Sequence, residues 1–187
     1  YWGINDHIRD LAGRYAGEGF LCVAPDLFRG KVAKDAKEAS KLMQELEIED
    51  GLAIIRSAVD AVRQKFEINT IDITGYCMGG TFALRAACEI NDLGAAAPFY
   101  GDIPSDDILK KLKVPTLFIA GERDAWFNPE KVEQLSQAAR KYDLPVETVS
   151  YDADHAFFND TRPEVFDPEA AADAWKRVLT LFHERNN

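Results

Sequence analysis

The chain has 187 residues, 47% of them hydrophobic, enough for one domain with a sizeable core. A formal net charge of −10 argues against nucleic acid and against an anionic membrane surface as partners, because both repel an acidic protein. Three cysteines without framework spacing, Cys22, Cys77 and Cys88, read as free thiols of a reducing compartment, and no membrane-length apolar run or signal peptide is visible; the expectation is a cytoplasmic protein.

The elements follow one another without repeats or long linkers. Ile4 to Ala16 is expected to be a helix capped by Asn5, with Ile8, Leu11 and Tyr15 on one face. Phe20 to Ala24 reads as a short buried strand ended by Pro25 and Asp26. Two helical runs follow, Lys34 to Leu46 and Glu49 to Phe66, the second keeping Leu52, Ile55, Val59 and Val62 at helical spacing. Thr70 to Thr74 reads as a strand, Gly75 to Gly80 as a tight turn, and a helix runs on through Ala87. Strands are then expected over Ala95 to Tyr100, Thr116 to Ala120 and Val146 to Tyr151. Helices are expected over Ile108 to Leu112, Lys131 to Tyr142 and Pro168 to His183.

Strands alternating with helices imply a mostly parallel sheet with helices on both faces. Reactive groups of such sheets gather beyond the carboxyl ends of the strands. The residues to weigh are therefore Asp26, Cys77, Tyr100, Asp124 and His155.

Gly75-Tyr76-Cys77-Met78-Gly79 is a G-x-nucleophile-x-G pattern with cysteine in the nucleophile's place, set between a strand and a helix as that pattern requires. A nucleophile on such an elbow projects from the top of the sheet, and the flanking glycines remove Cβ atoms that would collide as strand and helix pass. The helix N-terminus beneath offers unpaired N–H groups and partial positive charge to a thiolate or an oxyanion. The rival reading is an ordinary βα turn with a buried cysteine, and the strand–helix context with its glycines weighs against it. Cys22 and Cys88 read as core residues.

A cysteine nucleophile needs a base, and the base needs an orienting acid. His7 lies among polar residues of the first helix, and His183 sits in the last turn of the last one. His155 follows a strand, in the loop Asp152-Ala153-Asp154-His155-Ala156-Phe157-Phe158, and is the candidate base. Asp124, just past the strand Thr116 to Ala120, is the candidate acid, with Glu122 as its rival and Asp152 and Asp154 as further neighbours of the histidine. The order Cys77, Asp124, His155 reproduces the nucleophile–acid–base order of α/β-hydrolases.

With these residues placed, the sequence resembles the dienelactone hydrolase (carboxymethylenebutenolidase) family over nearly its whole length. The resemblance rests on Gly75-Tyr76-Cys77-Met78-Gly79-Gly80, and on the stretches Asn5 to Asp10, Ala24 to Phe28, Gly121 to Asp124 and His155 to Asp160. It implies a single α/β-hydrolase domain over 1–187, with Cys77 as nucleophile, His155 as base and Asp124 as its orienter. It implies that the backbone N–H groups of Tyr1 and Met78 form the oxyanion hole, and that Tyr100 lines the pocket. Best-known members hold a substrate carboxylate with two arginines; the matching positions here are Gly30, beside Arg29, and Asn159, near Arg162, so these arginines are the candidate substitutes. In the family an active-site Glu and the first strands lie upstream of the position matched by Tyr1. The chain opens at Tyr1 rather than Met and is expected to be truncated at its N-terminus, without those strands.

The expected chemistry is cleavage of a small-molecule carboxylic ester or lactone through a thioester. No cofactor is expected. Neither is a metal, since no Cys or His residues fall at ligand spacing. Two other readings remain, a non-catalytic binding or oxidant-sensing member of the fold, and thiol redox catalysis. Trp2, Phe28, Phe99, Tyr100, Trp126, Phe127, Phe157 and Phe158 fall near expected strand ends and loops; they read as core or lid packing before they read as pocket lining.

Overall fold

A computed structural model gives the fold of residues 1–186. The chain divides into two compact units, Tyr1–Ile68 and the remainder from Asn69 onward.

The first unit is helical: α1 (Asp6–Gly17), α2 (Ala36–Glu45) and α3 (Ile48–Phe66). Asn5 caps α1 by accepting the Ile8 N–H at 3.1 Å, and Leu11 and Tyr15 are buried one turn apart. Asp35 caps α2 through the Glu38 N–H at 2.8 Å, and the Glu38 carboxylate accepts the Lys34 N–H at 2.9 Å. The stripe expected on α3 is buried at Leu52, Ile55 and Val59.

Phe20 to Ala24 is not a strand. Leu21 and Val23 are exposed, and the segment has no ladder partner among the described residues. An apolar run becomes a strand only when a neighbour accepts its backbone hydrogen bonds. After it, the Asp26 carboxylate accepts the N–H groups of Phe28 at 3.0 Å and Gly30 at 2.6 Å, so Asp26 serves a turn.

The second unit alternates β1 (Ile73–Tyr76), α4 (Met78–Glu89), β2 (Ala96–Phe99), α5 (Asp106–Leu109), β3 (Thr116–Gly121), α6 (Pro129–Tyr142), β4 (Val146–Tyr151) and α7 (Pro168–Asn186). All four strands are parallel, in the order β1-β2-β3-β4. β1 begins three residues later than the Thr70 to Thr74 run suggests and continues to the elbow, because its register is set by β2, from Ile73 opposite Ala96 to Tyr76 opposite Phe99.

Every residue of β2 and β3 is buried. Successive side chains point to opposite faces, so both faces of the sheet are covered there. α4 packs against β1 and β2, α6 against β4, and α7 against β3. Because the strands run the same way, Tyr76, Phe99, Gly121 and Tyr151 end on one rim, and the segments that follow them carry the candidate site. Among the described residues, no helix is long and apolar enough to cross a membrane.

Candidate active site

Cys77 sits between the last residue of β1 and the first of α4, with φ of 56° and ψ of −116°. A non-glycine residue holds that conformation only where its surroundings impose it. Its N–H donates to the Phe99 carbonyl at 3.1 Å, and its carbonyl accepts the Thr81 N–H at 3.0 Å. The glycines divide the work differently from expectation. A Cβ on Gly75 would collide with the Gly79 carbonyl, and one on Gly80 with the Phe99 carbonyl, so these two permit the close passage of strand and helix. A Cβ on Gly79 would meet nothing within 4 Å.

The turn aims the thiol at the loop after β4. Cys77 Sγ lies 3.1 Å from His155 Nε2, and His155 Nδ1 lies 2.6 Å from Asp124 Oδ2. The other Asp124 oxygen accepts the N–H groups of Trp126 at 2.8 Å and Phe127 at 3.0 Å. Asp124 is 2% exposed, and its carboxylate is fully paired. The rival acids are engaged elsewhere. Asp152 and Asp154 both bond the Arg123 guanidinium, and Glu122 is exposed.

The electrostatics follow from these contacts. Burial pushes the Cys77 thiol upward, but the hydrogen bond and charge of His155 and the Met78 backbone N–H favour the thiolate, and the net shift is downward. Burial pulls His155 down, yet Asp124 and Cys77 hold its proton and raise it to about 9. Burial raises Asp124, while His155 and the two backbone N–H groups bring it below the usual carboxylate range. Both shifts run toward a thiolate beside an imidazolium.

The chain as a whole has known relatives. The dienelactone hydrolase family profile matches residues 1–185. The chain belongs to the dienelactone hydrolase family. Membership puts it among carboxylic ester hydrolases of the α/β-hydrolase fold. It is 33% identical over 196 residues to "Protein usf" of Aquifex pyrophilus, covering 98% of this chain and 84% of that protein. It is 32% identical over 200 residues to the "Putative carboxymethylenebutenolidase" of Escherichia coli (strain K12), covering 98% of this chain and 73% of that one. The crystal structure titled "Putative Dienelactone Hydrolase" from Klebsiella pneumoniae superposes with a TM-score of 0.90 at 30% identity, covering 97% of this chain and 82% of that chain.

Other residues singled out from this dienelactone hydrolase family sequence fall in different places. Met78 opens α4, and its N–H is directed at the Cys77 sulfur. Tyr100 is 1% exposed with φ of 35°, its ring edge-on to His155 at 5.0 Å between centroids. Burial pushes the Tyr100 hydroxyl well up, and the nearby Cys77 charge adds to this. Arg162 is exposed and paired to Glu164 at 2.8 Å, close enough for its charge to favour ionised Tyr100. Tyr1 and Arg29 belong to the first unit. The Tyr1 ring lies against Trp2 at 5.4 Å, and Arg29 is exposed in the Asp26 turn with φ of 53°.

Sequence reasoning missed the two backbone donors that hold Asp124. They follow the acid directly, but an N–H group leaves no trace in residue identity. It read Trp126 and Phe127 as core or lid packing before pocket lining; Trp126 is 61% exposed and not core, and both rings flank His155, at 4.9 and 5.7 Å. Cys88, the other thiol of this unit, is buried in α4, and burial with the Glu89 charge pushes it up to about 12. Among the described residues, no three His, Cys, Asp or Glu side chains converge on a possible metal position.

Proposed function

We propose that the protein hydrolyses a carboxylic ester or lactone by covalent catalysis, with Cys77 as nucleophile, His155 as acid and base, and Asp124 as orienter. One observation carries the reading: the unbroken line from Cys77 Sγ through His155, at 3.1 and 2.6 Å, to a buried, fully paired carboxylate. The names of the relatives, carboxymethylenebutenolidase and dienelactone hydrolase, add support for a lactone or ester substrate.

The thiolate attacks the carbonyl carbon, and the carbonyl π pair moves onto oxygen. The Met78 N–H, at a helix N-terminus, is the oxyanion donor in this second unit; such donors are commonly worth about 3–4 kcal/mol. As the tetrahedral carbon collapses, the imidazolium of His155 protonates the leaving oxygen. The C–O bond breaks and a thioester remains; from a lactone, the freed hydroxyl stays tethered to the acyl group. Neutral His155 then takes a proton from water, hydroxide adds to the thioester, and expulsion of the thiolate releases the acid. Asp124 holds the Nδ1 proton throughout, which keeps Nε2 toward the sulfur.

Thiol redox catalysis has less support, since Cys88 is buried and its thiol is held protonated. The test is hydrolysis of p-nitrophenyl acetate and of a dienelactone by the parent, Cys77→Ala and His155→Ala. Loss of turnover in both variants is expected. Undiminished rates in either would refute the triad.

A further inference from the structure

Three aromatic rings surround His155, and they differ in what else they touch. Tyr100 is buried among Tyr76, Phe99 and Phe157. Phe127 is half-buried, and the Lys131 ammonium lies over its ring at 5.2 Å, anchored by Asp102 at 3.0 Å. Trp126 alone is open: it is 61% exposed, and among the described residues it is the one large hydrophobic side chain of the second unit left in solvent. A single exposed apolar side chain is ordinary; what distinguishes the Trp126 indole is that it lies against His155 at 4.9 Å. Its backbone cannot retreat to bury it, because the Trp126 N–H holds the Asp124 carboxylate at 2.8 Å. The ring is thus fixed beside the histidine with a large open surface.

We infer that Trp126 is a specificity-determining contact, a platform on which the aryl group of an aryl ester's leaving alcohol stacks. This rests on the hydrolase reading. His155 Nε2 faces the sulfur at 3.1 Å and gives its proton to the departing oxygen, so the leaving alcohol lies on the histidine side of the reacting carbon. Trp126 packs on that same ring at 4.9 Å. An aromatic alcohol there gains an offset or edge contact with the indole, whereas an alkyl alcohol gains only its smaller burial.

The experiment compares phenyl acetate with ethyl acetate, which share an acyl group. Trp126→Ala keeps the backbone N–H to Asp124. It raises the ratio of KM for phenyl acetate to KM for ethyl acetate about tenfold. Trp126→Phe restores most of the ratio, and Trp126→Leu, similar in apolar character but without a ring, does not. A second readout needs no turnover: in Cys77→Ala, phenyl acetate quenches tryptophan fluorescence, and adding Trp126→Phe removes the quench. An unchanged ratio, equal losses on both esters, or full rescue by leucine overturns the platform. Retained hydrolysis by Cys77→Ala would instead overturn the nucleophile, while the fluorescence still reports the contact.

Discussion

Cys77 and Cys88 stand at opposite ends of α4, the first as its N-cap and the second in its last turn. The first faces His155 at 3.1 Å, receives the Met78 N–H and titrates low. The second is packed in the core near the Glu89 carboxylate and titrates at about 12. Both are partly or wholly withdrawn from water, so burial alone does not separate them. What separates them is the hydrogen bond and charge of His155 and the helix N-terminus at Cys77, whereas at Cys88 burial and Glu89 outweigh the nearby Arg85 and Lys111. A cysteine's chemistry is thus a property of position, and several substitutions can break or sharpen the contrast.

The largest expected effect is on turnover. Cys77→Ala should lower kcat by about 10³-fold or more, since the covalent route is lost. Cys88→Ala should leave kcat within about twofold, because it touches no reacting group. A comparable loss in the second variant would mean that the elbow thiol is not the nucleophile.

Asp124→Asn comes next, with an expected loss in kcat on the order of 10²-fold. The amide keeps the shape but no longer favours the Nδ1 proton. The effect should be smaller than loss of the thiol, because the thiolate still attracts the imidazolium. Steady-state kinetics on p-nitrophenyl acetate measure it, and an unaltered kcat would transfer the acid's role to another residue.

The pH dependence sharpens the comparison at the level of the thiols. The active pair needs a thiolate and an imidazolium. Its acid limb should fall below the ordinary thiol value of 9.0, since Cys77 is lowered, and its alkaline limb should lie near 9, where His155 loses its proton. Both apparent values belong to the pair. The same shift links to stability. His155 is raised from 6.5 to about 9 on folding, so its contribution is complete below about 6.5 and disappears as pH rises through 9. Urea unfolding of the parent and of His155→Gln should therefore differ most in mildly acidic solution and converge above pH 9. Iodoacetamide at neutral pH should label Cys77 and spare Cys88. His155→Gln should move the Cys77 labelling midpoint upward, because burial is then opposed by the Met78 N–H without the histidine.

Much of this site was legible in the sequence, and the reason is local. An elbow announces itself through contiguous residues, and the parallel sheet brings the ends of β1, β3 and β4 to one rim, so chain order alone assembles Cys77, Asp124 and His155. The choice of Asp124 over Glu122, Asp152 and Asp154 was less legible. It depends on Arg123 engaging two of the rivals across 29 and 31 positions and on backbone donors that no residue code displays. Phe20 to Ala24 failed for a similar reason. Its composition suits a strand, but a strand is a relation between segments, and the partner is not encoded in the run itself.

The smallest effect tests a glycine that the motif makes look indispensable. Gly75 and Gly79 flank Cys77 symmetrically in sequence, but only Gly75 is pressed: its Cβ would strike the Gly79 carbonyl, a backbone atom that cannot swing aside. Gly75→Ala should cost more than about 2 kcal/mol and lower kcat as the elbow shifts. Gly79 lies in the first turn of α4 without a positive φ, and nothing comes within 4 Å of a Cβ built there. Alanine at that position restricts the unfolded chain and favours the helix, so Gly79→Ala should gain about 0.5–1 kcal/mol. If it destabilises instead, the open space above the elbow must be filled by something that the Cβ displaces. If it leaves stability raised but KM increased, that space is where the substrate lies, and the glycine serves the ligand rather than the fold.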